Sequence, residues 1–154
     1  ISVMSGEQDR IDIAQAAAQQ LQEIGINCTV DIPAQMDWGG QMACLIGWGS
    51  PFDADDHTYK VFGTDKGANY SGYSNEKVDE YLTLARQYED QETRAKYYDL
   101  FQEELAKDPA YAFICYFDAN YVADSDIKGI SEKTVLGHHG VGIFWNIQEW
   151  EIVK

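Results

Sequence analysis

Residues 1–33, ISVMSGEQDRIDIAQAAAQQLQEIGINCTVDIP, decide the fold class because they place one helix pattern between two strand patterns. Residues 1–4 are short and apolar, and in residues 26–32 apolar side chains alternate with polar ones, which is the period of a strand. A strand, a helix and a strand within about thirty residues form a βαβ unit, whose strands are parallel neighbours with a right-handed crossover. The sequence therefore predicts an α/β fold with a mixed sheet flanked by helices.

The helix of this unit carries its own start and stop signals. Ser5 and Gln8 have the spacing of a capping box, so Ser5 is the expected N-cap. Apolar residues then recur every three or four positions and form one stripe. Gly25 follows Ile24, the last residue of the stripe, at the position where a left-handed residue ends many helices. The pattern predicts a helix that ends at about Ile24.

A third apolar run, residues 42–46, leads into a segment without periodicity, residues 46–73. The run has no polar alternation, which predicts a fully buried strand. The segment after it is rich in glycine, aspartate and aromatic residues, and such loops commonly bind ligands when they follow the carboxyl end of a strand. Trp48 lies between Gly47 and Gly49, which allow close approach to the backbone. We therefore expect Trp48 to form part of a binding wall.

Helix signals fill the middle of the chain, and strand signals follow them. The candidate N-caps are Asp55 or Asp56 for a short helix, then Ser74 or Asn75 and Asp90 for a helical hairpin. The hairpin is expected to end before Pro109. Aromatic and apolar runs at residues 111–117, 121–123 and 143–147 predict strands.

Composition and charge exclude several classes of partner. The chain has 154 residues, enough for one good core, and a formal net charge of −15. That charge repels phosphate backbones and anionic surfaces, so no nucleic-acid partner is expected. No apolar run approaches the roughly 20 residues that span a bilayer, so this segment is not expected to enter a membrane. The sequence lacks the GxSxG, GxGxxG and P-loop motifs, which leaves nucleophile-elbow hydrolases, dinucleotide enzymes and nucleotide enzymes without support.

Three cysteines, Cys28, Cys44 and Cys115, lie far apart in the sequence. Their spacing excludes a CxxC redox pair and a zinc ribbon. Each lies in an apolar, strand-like run, where a free thiol packs like a small hydrophobic side chain. The sequence leaves open whether Cys28 and Cys44, on strands that can be neighbours, form a disulfide.

Three histidines, His57, His138 and His139, are the candidate metal ligands besides carboxylates. Adjacent histidines point to opposite faces of a strand, but in the glycine-rich loop of residues 136–142 both can turn inward. Hydrogen-bonded or solvated histidines are the alternative. Residues 53–56, DADD, have the carboxylate density of a calcium loop but lack its glycine and bidentate glutamate, so a capped turn is the better interpretation.

An ordered set of short motifs resembles the C-terminal part of family 5 extracellular solute-binding proteins, the oligopeptide-, dipeptide- and nickel-type receptors of ABC importers. The motifs are Ile24-Gly25-Ile26, Gly47-Trp48-Gly49, residues 67–75 (GANYSGYSN), Val78-Asp79, residues 90–94 and residues 106–111 (AKDPAY). The resemblance implies one lobe of a periplasmic-binding-protein type II-like receptor. Residues 1–118 would form the second lobe of a longer, two-lobed protein, and residues 119–154 would return towards the first lobe. The start at Ile1, without an initiator methionine, fits this expectation of a fragment or a processed product.

The resemblance also implies a non-catalytic, exported protein, a cell-surface lipoprotein or a periplasmic one, that hands its ligand to a membrane permease. In peptide-binding members an aspartate three residues after the tryptophan of the Gly-Trp motif anchors the peptide amine. Here that position is Pro51, and Asp53 is the nearby substitute. The expected ligand is an oligopeptide or a related small solute, or a nickel or metal chelate, because imidazole suits such ions. No cofactor is expected, although nickel can be the ligand.

The predicted ligand-binding wall consists of residues from the loop 48–57 and the segment 69–73: Trp48, Gly49, Ser50, Asp53, His57, Asn69, Tyr70 and Tyr73. His138 and His139 are the predicted metal ligands. Two other classes remain open. One is a metal- or carboxylate-dependent hydrolase that uses the paired histidines with acidic partners, and the other is a structural adhesion domain.

Overall fold

Helices make up most of the regular structure. The computed structural model describes residues 1–40, 42–49, 53–118, 120–131 and 142–153. Within them the elements run α1 (Gln8–Glu23), α2 (Asp55–Phe62), α3 (Glu76–Gln87), α4 (Gln91–Lys107), β1 (Ile127–Lys128), a 3₁₀ helix (Gly142–Glu149) and β2 (Glu151–Ile152). The chain divides into two units, Ile1–Trp48 and Gly49–Lys154. The predicted boundary between residues 118 and 119 remains a prediction.

The first unit contains three parallel extended segments, and the N-terminal segment lies between the other two. Ser2 forms one parallel bridge with Asp31 and another with Cys44. The Val3 N–H donates to the Asp31 carbonyl at 2.9 Å, and the Leu45 N–H donates to the Ser2 carbonyl at 3.0 Å. These bonds confirm the predicted parallel βαβ arrangement. In the part of the chain that the structure describes, however, the pairing is limited to these single bridges.

Helix α1 covers one face of these segments. Val3, Ile11 and Ala14 form the buried core of the first unit, with Leu45 partly buried against them. Met42, in contrast, is fully exposed. Ala43 is also exposed, and residues 44–46 are only half-buried. The prediction of a fully buried strand over residues 42–46 is therefore wrong, because this segment packs against the core of the first unit only around Leu45.

The predicted capping box of α1 does not form. The N-cap residue is Glu7, and its side chain makes no capping bond. The Ser5 N–H instead donates to the Pro33 carbonyl at 2.9 Å, and Gly6, with φ +91°, turns the chain before the helix begins. The end of the helix is as predicted, because Gly25 follows it with φ +86°, in the left-handed region.

The second unit is built on the hairpin of α3 and α4. The Asn75 side chain caps α3 by accepting from the backbone N–H groups of Lys77 and Val78. The Asp90 side chain caps α4 by accepting from the Thr93 N–H. Both predicted caps are confirmed. The core between the helices consists of Val78, Leu82, Ala85, Tyr98, Phe101 and Leu105.

Residues 111–117 and 121–123 do not form the predicted strands. Of the described residues in these two ranges, most are exposed, and none lies in a strand or a bridge. Aromatic and β-branched residues favour strands only where a neighbouring strand is present to pair with. No helix in the described ranges is both long and apolar enough to cross a membrane.

The predicted last strand, residues 143–147, is also wrong, because these residues lie in the 3₁₀ helix. Asn146 is only 1% exposed and kinks this helix, because its own backbone is non-helical, with φ −117° and ψ 29°. The Asn146 Nδ2 donates to the Gly129 carbonyl at 2.8 Å, and the Trp150 Nε1 donates to Asn146 Oδ1 at 3.1 Å. A buried amide takes these bonds in preference to a strand ladder, since an unpaired buried polar group is costly.

Candidate functional site

Asp53 and Arg94 form a two-point ion pair at the start of α2. Arg94 Nη2 lies 2.6 Å from Asp53 Oδ1, and Nη1 lies 3.0 Å from Oδ2. Asp53 Oδ1 also accepts from the Asp55 N–H at 2.8 Å, so Asp53 supplies the capping bond that the sequence assigned to Asp55 or Asp56. The hydrogen bonds from Arg94 and then from the Asp55 N–H lower the pKa of Asp53. The Asp53 carboxylate is therefore charged and already bonded within the protein.

A second arginine forms a single-point ion pair with the next carboxylate of α2. Arg86 Nε lies 3.3 Å from Asp55 Oδ1, and the guanidinium lies over the ring of Tyr59, 4.0 Å from its centroid. The Lys66 ammonium lies 4.9 Å from the centroid of the same ring. Both contacts have cation–π geometry. An open depression of about 440 Å³ lies here, lined by Asp53, Asp55, Arg86, Tyr88, Glu89 and Arg94.

Asn69 holds together the loop of residues 63–73. Its Nδ2 donates to the carbonyls of Gly63 and Tyr73 at 3.0 and 2.7 Å, and its Oδ1 accepts from the Tyr73 N–H and the Ser71 Oγ at 3.0 and 3.2 Å. These four bonds use both hydrogens and both lone pairs of the amide. Asn69 was predicted to contact ligand, but in this structure it shapes the loop.

The start of the same loop is tied to α3 and to the residues just before that helix. The Thr64 N–H donates to Asp79 Oδ1 at 2.8 Å, and Thr64 Oγ1 donates to Ser74 Oγ at 3.1 Å. Burial and then the negative charge of Asp108 raise the pKa of Tyr73, so its hydroxyl stays neutral in the physiological range. Tyr70 remains 37% exposed. Asn69 and Tyr73 are thus brought together, and Tyr70 presents its ring at the surface of the loop.

Trp48 belongs to the first unit and is 38% exposed. The glycine before it does not leave an open approach to the backbone. A Cβ placed on Gly47 would lie 2.5 Å from Arg10 Nη2, so the guanidinium of Arg10 occupies that space. Arg10 is itself paired with Glu7, at 2.7 Å. The prediction that Trp48 forms part of a binding wall stays a prediction.

Gly49 and His57 belong to the second unit. His57 lies in the first turn of α2, with Nδ1 3.8 Å from Asp56 Oδ2. Ser50, His138 and His139 lie outside the described residues. Among the residues that the structure describes, no group of three His, Cys, Asp or Glu side chains could hold a metal ion. The predicted histidine pair therefore stays a prediction.

Sequence reasoning did not identify Arg86 and Arg94. Each lies on a helix whose periodicity places charged residues at the surface, and a surface arginine is usually solvated. The signal in the sequence that could have identified these two arginines is their position at the ends of the two helices. Arg86 is in the last turn of α3 and Arg94 in the first turn of α4, so both are expected near the turn of the hairpin.

Two solved structures resemble this chain over nearly its whole length. NikZ from Campylobacter jejuni, in complex with Ni(L-His), has a TM-score of 0.78 and 35% identity, over 97% of this chain and 32% of NikZ. The oligopeptide-binding protein AppA from Bacillus subtilis, in complex with a nonapeptide, has a TM-score of 0.73 and 24% identity, over 99% of this chain and 31% of AppA.

The chain thus spans about a third of the length of each of these structures. No family model matches the chain, and no curated protein matches it. The shared folds confirm the predicted class, an α/β fold of the periplasmic-binding-protein type II kind, and the structure shows it as rich in helices with a small sheet.

Proposed function

The chain belongs to the family 5 extracellular solute-binding proteins, and from this premise we propose that it is the ligand-binding part of a receptor that delivers a small solute to the permease of an ABC importer. The observation that carries the proposal is the likeness to NikZ, at 35% identity over 97% of this chain. The receptor is proposed to be two-lobed, non-catalytic and extracytoplasmic, as a cell-surface lipoprotein or in the periplasm. Residues 1–118 are proposed to form its second lobe.

The contacts of Asp53 weigh against a peptide held by its amine. Pro51 stands where peptide-binding members are expected to carry the anchoring aspartate. Asp53 is the nearest substitute, yet both of its oxygens are bonded to Arg94. An ammonium group would have to compete with a bidentate guanidinium, which is among the stronger charge-assisted hydrogen-bonding arrangements. Oligopeptides remain a proposed ligand class, but their amine would need a different partner.

A nickel or metal chelate is the second candidate ligand, and the higher identity to NikZ favours it. NikZ holds Ni(L-His), whereas AppA, which holds a nonapeptide, is 24% identical to this chain. His57, His138 and His139 are the imidazoles that this chain offers to such a ligand. Nickel would then be the transported cargo and no cofactor would be required.

Isothermal titration of the full-length protein tests the proposal and separates the two ligands. We expect heat and a raised melting temperature with Ni(II) plus L-histidine, or with a broad peptide mixture. Ni(II) alone and L-histidine alone are the controls for the chelate. Absence of heat and of any melting shift with every ligand would contradict the proposed receptor role.

A metal- or carboxylate-dependent hydrolase is the alternative from a different class. It predicts stoichiometric metal after purification and turnover of an amide or a glycoside that His139→Ala abolishes. Elemental analysis and a hydrolysis panel on the same preparation decide between this alternative and a receptor. A structural adhesion domain would bind a protein or glycan surface and would give no heat with small solutes.

A further inference from the structure

We propose that Arg94 and Arg86 are positioning residues for ligand binding, because they fix the start of α2 on the α3–α4 hairpin. This inference rests on the proposed receptor function. It assigns a role to two side chains that do not belong to the predicted binding wall.

The first step is the geometry at α2. Asp53 and Asp55 lie two residues apart at the start of the helix. Asp53 is hydrogen-bonded at two points to Arg94, and Asp55 is ion-paired with Arg86 through one contact of 3.3 Å. Arg86 comes from the last turn of α3 and Arg94 from the first turn of α4. The position of the α2 start is therefore set by both helices of the hairpin.

The second step is the support beneath the arginines. Arg94 lies over the ring of Tyr98, 5.8 Å from its centroid, and Tyr98 is a core residue of the hairpin. Arg86 lies over Tyr59, which packs against the same core. A guanidinium that is stacked on a ring and bidentate to a carboxylate has a defined orientation that a lysine ammonium cannot reproduce.

The third step links this frame to the proposed wall. His57 lies within α2, and Lys66 of the loop lies over the Tyr59 ring on which Arg86 also stacks. Asn69 holds the same loop, which presents Tyr70. His57 in α2 therefore rests on contacts that begin at the two arginines, and the loop, which Asn69 holds, touches the same frame where Lys66 lies over Tyr59.

The exposure of the Asp53–Arg94 pair separates positioning from simple stabilisation. The Asp53 side chain is 53% exposed and that of Arg94 is 27% exposed. Ion pairs exposed to this extent contribute little to folding because solvent screens them. Loss of the pair should therefore change the placement of α2 and affect ligand binding, while the melting temperature changes little.

The experiment compares Arg94→Lys, Arg94→Gln and Asp53→Asn with the unsubstituted protein, each at full length. The probe is Ni(II) plus L-histidine or the peptide mixture, whichever the unsubstituted protein binds. Lys107→Gln is the matched control. It also removes one positive charge and one ion pair, the 3.1 Å contact between Lys107 Nζ and Glu104 Oε2, but at the other end of α4. We expect about tenfold weaker binding for each Arg94 variant, as is typical when a supporting residue behind a binding group is removed. The control should bind normally.

A double-mutant cycle makes the test specific. Asp53→Asn and Arg94→Gln together should weaken binding no more than either alone, since both remove the same pair. Normal binding by Arg94→Lys and Arg94→Gln would overturn the inference. Weaker binding accompanied by a large fall in melting temperature in both Arg94 variants would overturn it too. Absence of binding by the unsubstituted protein is a different result, and it contradicts the proposed function itself.

Discussion

Asn69 and Tyr73 are bonded to each other in both directions across one turn of the loop. The Asn69 Nδ2 donates to the Tyr73 carbonyl at 2.7 Å, and Asn69 Oδ1 accepts from the Tyr73 N–H at 3.0 Å. This side chain thus adds to the backbone turns of the loop, in which the Asn69 N–H donates to the Lys66 carbonyl at 3.0 Å. Because its amide is also bonded to Gly63 and Ser71, Asn69 fixes the whole loop from its middle.

Replacing Asn69 by aspartate should destabilise the protein. The change removes both donors and places a carboxylate against the carbonyls of Gly63 and Tyr73. We expect a loss of about 1–3 kcal/mol in the free energy of unfolding, measured by urea denaturation. Asn120→Asp is the matched control, because Asn120 is exposed and makes one long bond of 3.4 Å to the Asp118 carbonyl. Equal effects of the two substitutions would contradict the role of Asn69.

Gly63 and Gly67 should respond differently to alanine. A Cβ on Gly63 would lie 2.7 Å from the Tyr59 carbonyl and 2.8 Å from Lys66 Cγ, whereas a Cβ on Gly67 would meet nothing within 4 Å. The crowded backbone carbonyl cannot move away without disturbing α2, so Gly63→Ala should cost about 1–3 kcal/mol. Gly67→Ala should be neutral or slightly stabilising. Thermal unfolding of the two variants checks this, and equal melting temperatures would contradict it.

Stability should fall in acid because the pKa values of three carboxyl groups are lowered. The causes are the bonds from Arg94 to Asp53, from the Thr93 N–H to Asp90, and from Lys107 to Glu104. A group whose pKa is lower in the folded state contributes stability above its unfolded pKa and loses it as the pH falls through the folded pKa. We therefore expect the melting temperature to decline below about pH 4, the ordinary range for carboxyl groups.

Asp90→Asn isolates one of these contributions. Asparagine is as good an N-cap as aspartate but does not titrate. The variant should match the unsubstituted protein near neutral pH and lose less stability in acid. Melting curves recorded from neutral pH downwards test this, and an unchanged acid dependence would show that the Thr93 bond does not lower the pKa of Asp90.

Cys28 and Cys44 should remain reduced thiols even under oxidising conditions. Ser2 pairs with Asp31 on one strand segment and with Cys44 on the other, so the segment with Cys28 and the segment with Cys44 are separated by residues 1–3. Strands two positions apart lie about 10 Å from each other, too far for the Cα spacing of a disulfide. Burial also raises the pKa of the Cys44 thiol, which lowers its reactivity.

Intact-mass analysis after mild oxidation tests this prediction. We expect the mass of the fully reduced chain and three thiols that react in denaturant. A mass lower by two hydrogen atoms, together with a disulfide-linked Cys28–Cys44 peptide after digestion, would contradict this prediction. It would mean that residues 1–3 do not separate the segment with Cys28 from the segment with Cys44.

The sequence alone determined the features that depend on near neighbours. The caps at Asn75 and Asp90 and the left-handed Gly25 were predicted correctly, because each needs only a few adjacent residues to be satisfied. The order of strand and helix patterns over residues 1–33 was enough for the α/β class, since the handedness and length of a crossover leave few topologies.

Only the tertiary structure decided the features that depend on distant partners. The Ser5 N–H bonds to the Pro33 carbonyl while α1 begins only after Glu7, and the Asn146 side chain, at the kink of the 3₁₀ helix, bonds to the Gly129 carbonyl. The partner of Asp53 lies 41 residues away at Arg94. The local sequence around a loop carboxylate is the same whether the carboxylate is free to bind a ligand or is already paired with an arginine. Only long-range packing distinguishes the two cases.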